Sequence, residues 1–207
     1  MHDRDRPDPL LFGWDPTPGI VSVWASRDGR ALVWRRDGGR VLLERDRFRP
    51  WLLAAHLDDV AHLGAALAPE DDGPVGDVAS GSGERSAPPR GASVTYRALD
   101  GPEPSYRYLL SATTGRELER AILEGAVRRL GRRPDGVRAL DGYYGVGPVE
   151  QYLMRTGRVY YRDLDYDDLH RLQLDLETTD LDPERGRIFL VAVRDSRGLA
   201  TTLEAAE

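Results

Sequence analysis

Cysteine and lysine are both missing from this chain of 207 residues, and each absence removes a class of chemistry. There is no cysteine, which excludes disulfides, thiolate metal sites, iron–sulfur clusters and a cysteine nucleophile. There is no lysine either, so all 29 basic residues are arginine. A P-loop, Schiff-base chemistry and a lysine general base are therefore excluded as well.

Long apolar stretches are also scarce. The longest run, Ile188–Val193, holds six residues, whereas a membrane-spanning helix needs about 20. The first residues, Met1–Pro7, are charged and lack the apolar segment of a secretion signal. We therefore expect no membrane partner and a cytoplasmic location.

The composition of the chain is sufficient for a folded α+β protein of one large domain or two small domains. Apolar residues make up 40% of the chain, and 35 acidic against 29 basic residues give a net charge of −6. Residues 1–68 are assigned to a β-rich N-terminal domain. Within it, apolar runs separated by Asp28-Gly29 and Asp37-Gly38-Gly39 predict a β-meander, because Asp-Gly between such runs favours a hairpin. Residues 51–68 predict a strand end and a short helix.

Residues 69–92 are rich in Gly, Pro, Ser and Asp and predict a flexible insertion. Residues 93–160 complete the N-terminal domain, with strands predicted at Val94–Ala98 and Tyr106–Ala112. Thr114 and Glu117 form a capping box that predicts a helix up to Gly131. The predicted apolar face of this helix contains Leu118, Ile122, Ala126, Val127 and Leu130. Pro and Gly at the two ends predict a second helix over Pro148–Thr156.

Residues 170–207 predict a separate set of three antiparallel strands at Arg171–Thr178, Arg187–Val193 and Leu199–Leu203. The first two are apolar enough to predict cover on both faces. We expect a domain that is cut off after its first strands.

Two carboxylates, Asp175 and Glu177, lie two residues apart in the first of these strands, in the run Leu174-Asp175-Leu176-Glu177-Thr178-Thr179. Side chains at this spacing point to the same face of a strand. A pair of negative charges on a face that would otherwise be buried favours a hard divalent cation, Mg²⁺ or Mn²⁺, between them. The alternative is a half-exposed strand whose polar face happens to be acidic.

The run LDLETTDLDPERGRIFLVAV resembles the first exonuclease motif of the DEDD 3′–5′ exonucleases. The preceding Pro148…Tyr152-Leu153…Gly157 helix and the opening LFGWDPTPGIVSVWA are similar to the N-terminal region of family-B DNA polymerases. The resemblance implies a β-rich N-terminal domain followed by the first strands of a ribonuclease-H-like exonuclease fold.

The implied function is proofreading: 3′–5′ hydrolysis of DNA by two metal ions. Asp175 matches the aspartate that bridges both metals. Glu177 matches the glutamate that binds one metal and helps to orient the attacking water. The later acidic motifs and the polymerase motifs of the family are absent from this sequence, so we expect the chain alone to be inactive. The implied partners are single-stranded or primer–template DNA and a downstream polypeptide that completes the enzyme.

The competing hypothesis is a non-catalytic module that binds DNA or a partner protein. The arginines at the end of the first helix are compatible with DNA contact or with a solvated helix end. Trp24 and Trp34 are compatible with base stacking or with core packing.

We interpret the segment around His56 and His62 as a solvated helix rather than a metal site. We interpret Asp180 and Asp182 as turn residues rather than metal ligands.

Overall fold

The computed structural model describes residues 15–70, 91–102 and 104–205. The chain divides into two compact units, Met1–Arg162 and Asp163–Glu207. The fold is mixed α+β and rich in sheets, with two α-helices in the described residues. Most of the predicted insertion at 69–92 lies outside the described residues. In the part of the chain that the structure describes, no helix is long and apolar enough to cross a membrane.

The first unit begins with the predicted meander. Its strands are β1 (Ile20–Ala25), β2 (Arg30–Asp37) and β3 (Arg40–Arg47), which pair antiparallel in that order. The first turn uses Gly29 at φ 76°, a left-handed conformation that glycine adopts without steric cost. The alternation of β1 and β2 then buries one face of the sheet, including Val23, Ala31 and Val33, whereas β3 has no buried residue.

A second sheet of the same unit has five strands in the order β5-β6-β7-β4-β8. These strands are β4 (Trp51–Ala54), β5 (Leu67–Pro69), β6 (Val94–Ala98), β7 (Tyr108–Ala112) and β8 (Tyr143–Tyr144). The short helix predicted after residue 51 is a 3₁₀ segment, Ala61–Ala66, interrupted at Gly64 with φ 53°. Two further 3₁₀ turns lie at Val137–Ala139 and Tyr166–Asp168.

Helix α1 (Gly115–Leu130) covers one face of the second sheet. The predicted capping box is present: Glu117 N–H donates to Thr114 Oγ1 at 3.2 Å, and Thr114 N–H donates to Glu117 Oε2 at 3.2 Å. The predicted apolar face was wrong at its C-terminal end, where Val127 and Leu130 are exposed. The small residues of the middle turns provide the contact instead, because Gly125 lies directly against the backbone of Asp59.

Helix α2 has the predicted bounds, Pro148–Thr156, and ends at Gly157 with φ 72°. Its Tyr152 is fully buried in the core of the meander, where its ring lies edge-on to Phe48. Val149 and Leu153 pack against the same core. The aromatic residue of this helix therefore contributes to the hydrophobic core of the N-terminal unit.

The second unit contains one antiparallel sheet in the order β11-β10-β9. Its strands are β9 (Leu172–Thr178), β10 (Ile188–Asp195) and β11 (Ala200–Glu204), close to the predicted bounds. None of the residues from 163 to 205 is buried. The register and the turns of this sheet are therefore formed without the burial that defines the first unit.

Candidate functional site

The candidate site lies on strand β9, where polar and apolar residues alternate strictly. Leu172, Leu174 and Leu176 occupy one face, and Gln173, Asp175 and Glu177 occupy the other. Asp175 and Glu177 therefore share a face, as the spacing predicts.

The pairing with β10 and β11 continues these two faces across the sheet. Asp175 is opposite Ala192, and Glu177 is opposite Leu190, which in turn is opposite Glu204. We call this side the acidic face; its members are Gln173, Asp175, Glu177, Leu190, Ala192, Arg194, Ala200, Thr202 and Glu204. The opposite side is the apolar face, with Leu172, Leu174, Leu176, Val191, Val193 and Leu203.

For β9, this division corrects the expectation that the first two strands of the unit are apolar enough to need cover on both faces; β10 is apolar on both. Only one face of β9 is apolar, and the carboxylates occupy the other. Both Asp175 and Glu177 are exposed. Water can therefore solvate the pair, so burial does not by itself require a cation between the two carboxylates.

The local contacts leave both carboxylates accessible. Asp175 Oδ1 accepts one hydrogen bond, from the backbone N–H of Leu176 at 3.1 Å. The ion pairs within residues 163–205 join His170 to Asp195 and Arg185 to Asp182, and neither involves Asp175 or Glu177. The oxygens of these two side chains are available to an incoming ligand.

The acids that follow β9 stabilise the turn. Asp180 Oδ1 accepts from the N–H of Asp182 at 3.0 Å, and Asp182 Oδ1 accepts from the N–H of Glu184 at 3.0 Å. Asp182 Oδ2 accepts from Arg185 Nε at 2.8 Å. The interpretation of Asp180 and Asp182 as turn residues is confirmed, and three of their four carboxylate oxygens accept hydrogen bonds within the turn.

A histidine–carboxylate pair that the sequence did not predict lies at the other end of this sheet. His170 Nε2 and Asp195 Oδ2 share a hydrogen bond at 2.7 Å. This bond, together with the backbone N–H groups of Leu199 and Arg197, lowers the pKa of Asp195 to about 2. Ser196 Oγ donates to the carbonyl of Leu169 and accepts from the N–H of Arg171, both at 3.1 Å. These contacts tie the residues before β9 to the turn between β10 and β11.

Two buried charge clusters of the first unit were also missed. Asp59 is fully buried and accepts from Arg129 Nε at 2.8 Å, Arg129 Nη2 at 2.9 Å and Tyr143 Oη at 3.1 Å. Burial acts to raise the pKa of Asp59, but these hydrogen bonds hold it below its ordinary value. The interpretation of this segment as a solvated helix was therefore wrong at Asp59.

The second cluster surrounds Arg158, which follows α2. Its Nε donates to Asp15 Oδ2 at 2.8 Å, and its Nη1 donates to Tyr152 Oη at 2.7 Å. The Tyr152 hydroxyl donates in turn to Asp46 Oδ2 at 2.8 Å. Asp15 and Arg158 are 143 positions apart, so no local pattern could have paired them.

The histidines do not form a metal centre in the described residues. The His56 ring packs edge-on against Tyr143, with 5.6 Å between ring centroids, and His62 Nε2 lies 3.9 Å from Glu124. Across residues 15–70, 91–102 and 104–205, no group of three or more His, Asp or Glu side chains is placed to hold a metal ion. Asp175 and Glu177 are therefore a pair and not a complete ligand set.

Comparison with known proteins finds a likeness among solved structures only. No protein-family model matches the chain. No curated protein matches it either. Among solved structures, the chain is similar to the family B DNA polymerase from the hyperthermophilic archaeon Pyrobaculum calidifontis, with 18% sequence identity and a TM-score of 0.49. The likeness covers 91% of this chain and 26% of that polymerase, so this chain spans about a quarter of the length of the polymerase.

Proposed function

We propose that Asp175 and Glu177 bind Mg²⁺ or Mn²⁺ and form half of a two-metal site for 3′–5′ hydrolysis of DNA, in a protein related to the family-B DNA polymerases. The observation that carries this proposal is the placement of the two carboxylates on one exposed face of β9, next to each other and outside any ion pair of residues 163–205. The resemblance of LDLETTDLDPERGRIFLVAV to the first exonuclease motif supports the same function.

The two carboxylates suit a hard cation, but they supply only part of its ligand set. Carboxylate oxygens are the ligands that Mg²⁺ and Mn²⁺ prefer. Glu204 shares the acidic face, but it lies two strands from Glu177, which corresponds to about 10 Å between backbones. We infer that the remaining ligands come from outside residues 163–205.

The roles proposed for the two residues come from the resemblance to the first exonuclease motif. By that resemblance Asp175 would bridge both metals, and it lies beside the small side chain of Ala192, which leaves room above the centre of the sheet. Glu177 would bind one metal and help to orient the attacking water. Bound metal ions in such a site stabilise the negative charge that develops on the attacking and leaving oxygens.

The test is a calorimetric titration of the chain with Mn²⁺. We expect weak binding, with a Kd on the order of 10⁻⁴ to 10⁻³ M, since the ligand set is small. Asp175→Asn should abolish it and Glu177→Gln should weaken it. Glu204→Gln is the matched control, because it removes the same charge from the same face. Equal Mn²⁺ binding by wild type and Asp175→Asn would contradict the proposal.

Activity provides a second test. Two-metal hydrolysis requires both ions and a group that activates the water. We therefore expect no 3′–5′ degradation of single-stranded DNA by this chain alone in Mg²⁺. Cleavage should appear when a polypeptide carrying the later acidic motifs is added, and Asp175→Asn should abolish it. The competing non-catalytic module predicts no cleavage under either condition.

A further inference from the structure

The meander of the first unit has one buried and one exposed face, and the exposed face has an unusual composition. The buried face packs against α2 through the Tyr152 core. We call the opposite side the outer face. The strand register shows which residues belong to it: Trp24 is opposite Leu32, and Trp34 is opposite Ser22. On β3, Arg45 is opposite Leu32, and Leu43 is opposite Trp34. The members of the outer face are Ser22, Trp24, Arg30, Leu32, Trp34, Arg36, Val41, Leu43, Arg45 and Arg47.

The acids of the meander strands lie on one face only. Four arginines lie on the outer face, whose strand positions carry no acidic residue, although Arg30 pairs with Asp28 of the first turn. The other face carries Arg35 and Arg40 together with the acids. The acids of β2 and β3 all lie on the other side: Asp37, Glu44 and Asp46. Glu44 and Asp46 are within 4 Å of the Arg158 guanidinium, at 3.7 and 3.8 Å. Although the chain carries a net charge of −6, the outer face is locally cationic.

The two tryptophans lie close together in the middle of this face. Because Trp24 is opposite Leu32, Trp34 is its diagonal neighbour on β2, about 7–8 Å away between backbones. The Trp24 side chain is 46% exposed. Trp34 is half-buried. The neighbouring Val41 and Leu43 are exposed as well.

This composition is not that of an ordinary solvated sheet. The solvent face of an antiparallel sheet normally carries polar residues, and a contiguous exposed apolar patch marks a binding surface. Exposed aromatic rings beside arginines, without acids, match the chemistry of a single-stranded polynucleotide. Its bases stack on aromatic side chains, and its phosphates are neutralised by cationic groups.

We propose that the outer face of the meander binds single-stranded nucleic acid. Bases stack on Trp24 and Trp34, and the exposed Arg45 and Arg47 contact phosphates. A duplex is a poorer ligand, since its bases are already stacked on one another. This surface is separate from Asp175 and Glu177, so the inference stands whether or not those residues bind metal.

The test measures the binding of labelled oligo-dT and oligo-U to the whole chain by fluorescence anisotropy. The buffer contains EDTA, which removes any contribution from divalent metal. Trp24→Ala should weaken binding at least about fivefold, the lower end of what one stacked base contributes. Trp24→Phe should restore most of the affinity. Arg45→Gln should weaken binding and reduce the dependence of log K on log salt by about 0.7. The comparison of oligo-dT with oligo-U assigns DNA or RNA as the better ligand.

Arg197→Gln, at an exposed arginine in the turn between β10 and β11, is the matched control and should change neither affinity nor salt dependence. Asp175→Asn should also bind normally, which separates this test from that of the proposed hydrolytic function. Circular dichroism of each variant shows that the fold is retained. Equal affinity of wild type and folded Trp24→Ala would overturn the proposal, as would equal affinity for duplex and single strand. A concentration-dependent dimer that Trp24→Ala dissociates would assign the face to a second copy of the chain instead.

Discussion

The two units of this protein form equally regular sheets but differ in what stabilises them. In the first unit, two clusters of buried residues fill the space between the sheets and the helices. In the second, β9, β10 and β11 pair in register, with one irregularity between Ile188 and Leu190, although no residue from 163 to 205 is buried. The difference shows that alternation and turn chemistry are enough to define a register, whereas burial decides how firmly that register is held.

Hydrogen exchange should show the largest contrast between the units. Amides of β7, whose Leu109 and Leu110 are buried, should exchange only on global unfolding. Amides of β9 and β11, which are the edge strands of an exposed sheet, should exchange at least about 100-fold faster. Light scattering should accompany the measurement, because exposed edges favour association. Strong protection across residues 187–203 of a monomer would show that exposure does not limit the stability of the second unit.

Gly125→Ala tests the tight packing of the first unit. A Cβ at this position would lie 1.7 Å from the carbonyl oxygen of Asp59, so the helix must move away from the loop. We expect a loss of about 2 kcal/mol or more in the free energy of unfolding, even though alanine favours a helix. Urea denaturation measures the change. Gly136→Ala is the control, because a Cβ there meets no atom within 4 Å. A Gly125→Ala variant as stable as wild type would mean that α1 is not held against this loop.

An ion pair of the first unit should likewise contribute more to stability than an ion pair of the second unit. Asp59 is fully buried and pairs with Arg129, whose side chain is 39% exposed, so Asp59→Ala should cost about 2–4 kcal/mol of stability. Asp182 pairs with an arginine whose side chain is 74% exposed, and Asp182→Ala should cost less than about 1 kcal/mol. Thermal denaturation of both variants measures the contrast. Similar losses would indicate that the Asp59 pair contributes no more than a surface pair.

The smallest expected effect is a pH dependence of the second unit. Because the pKa of Asp195 is about 2 in the folded chain, below the value of about 3.9 for an unfolded aspartate, its ionised form stabilises the fold above pH about 4. This contribution is lost as the pH falls toward 2. Carbon-13 NMR of the carboxyl group should give a midpoint near 2 that moves upward in His170→Ala. A midpoint unchanged by His170→Ala would assign the low pKa to the backbone hydrogen bonds alone.

Sequence reasoning succeeded where the signal is local. Thr114 and Glu117 predicted the start of α1, and Pro148 and Gly157 predicted both ends of α2. The spacing of Asp175 and Glu177 predicted their shared face. These features involve residues within one or two turns of each other, so the backbone geometry connects them directly.

Reasoning from the sequence failed where partners are distant. The burial of Asp59 depends on Arg129, 70 positions away, and on Tyr143. The exposure of Val127 and Leu130 depends on where the second sheet ends, which periodicity along the helix does not reveal. The sequence suggested that Trp24 and Trp34 could stack bases, but only the register of β1 and β2 places them diagonally on one face.

The sequence by itself determined the longer strands and helices in their order, apart from the short β5 and β8, together with their caps and turns and the residues that share a strand face, because these depend on backbone periodicity and on contacts between near neighbours. The tertiary structure alone decided which faces are covered, which carboxylates have a distant partner, and where the sheets add the short strands. Those properties depend on which segments far apart in the chain come within a few ångströms of each other, and the free energy of a charge or an apolar side chain depends on the water that such contacts remove.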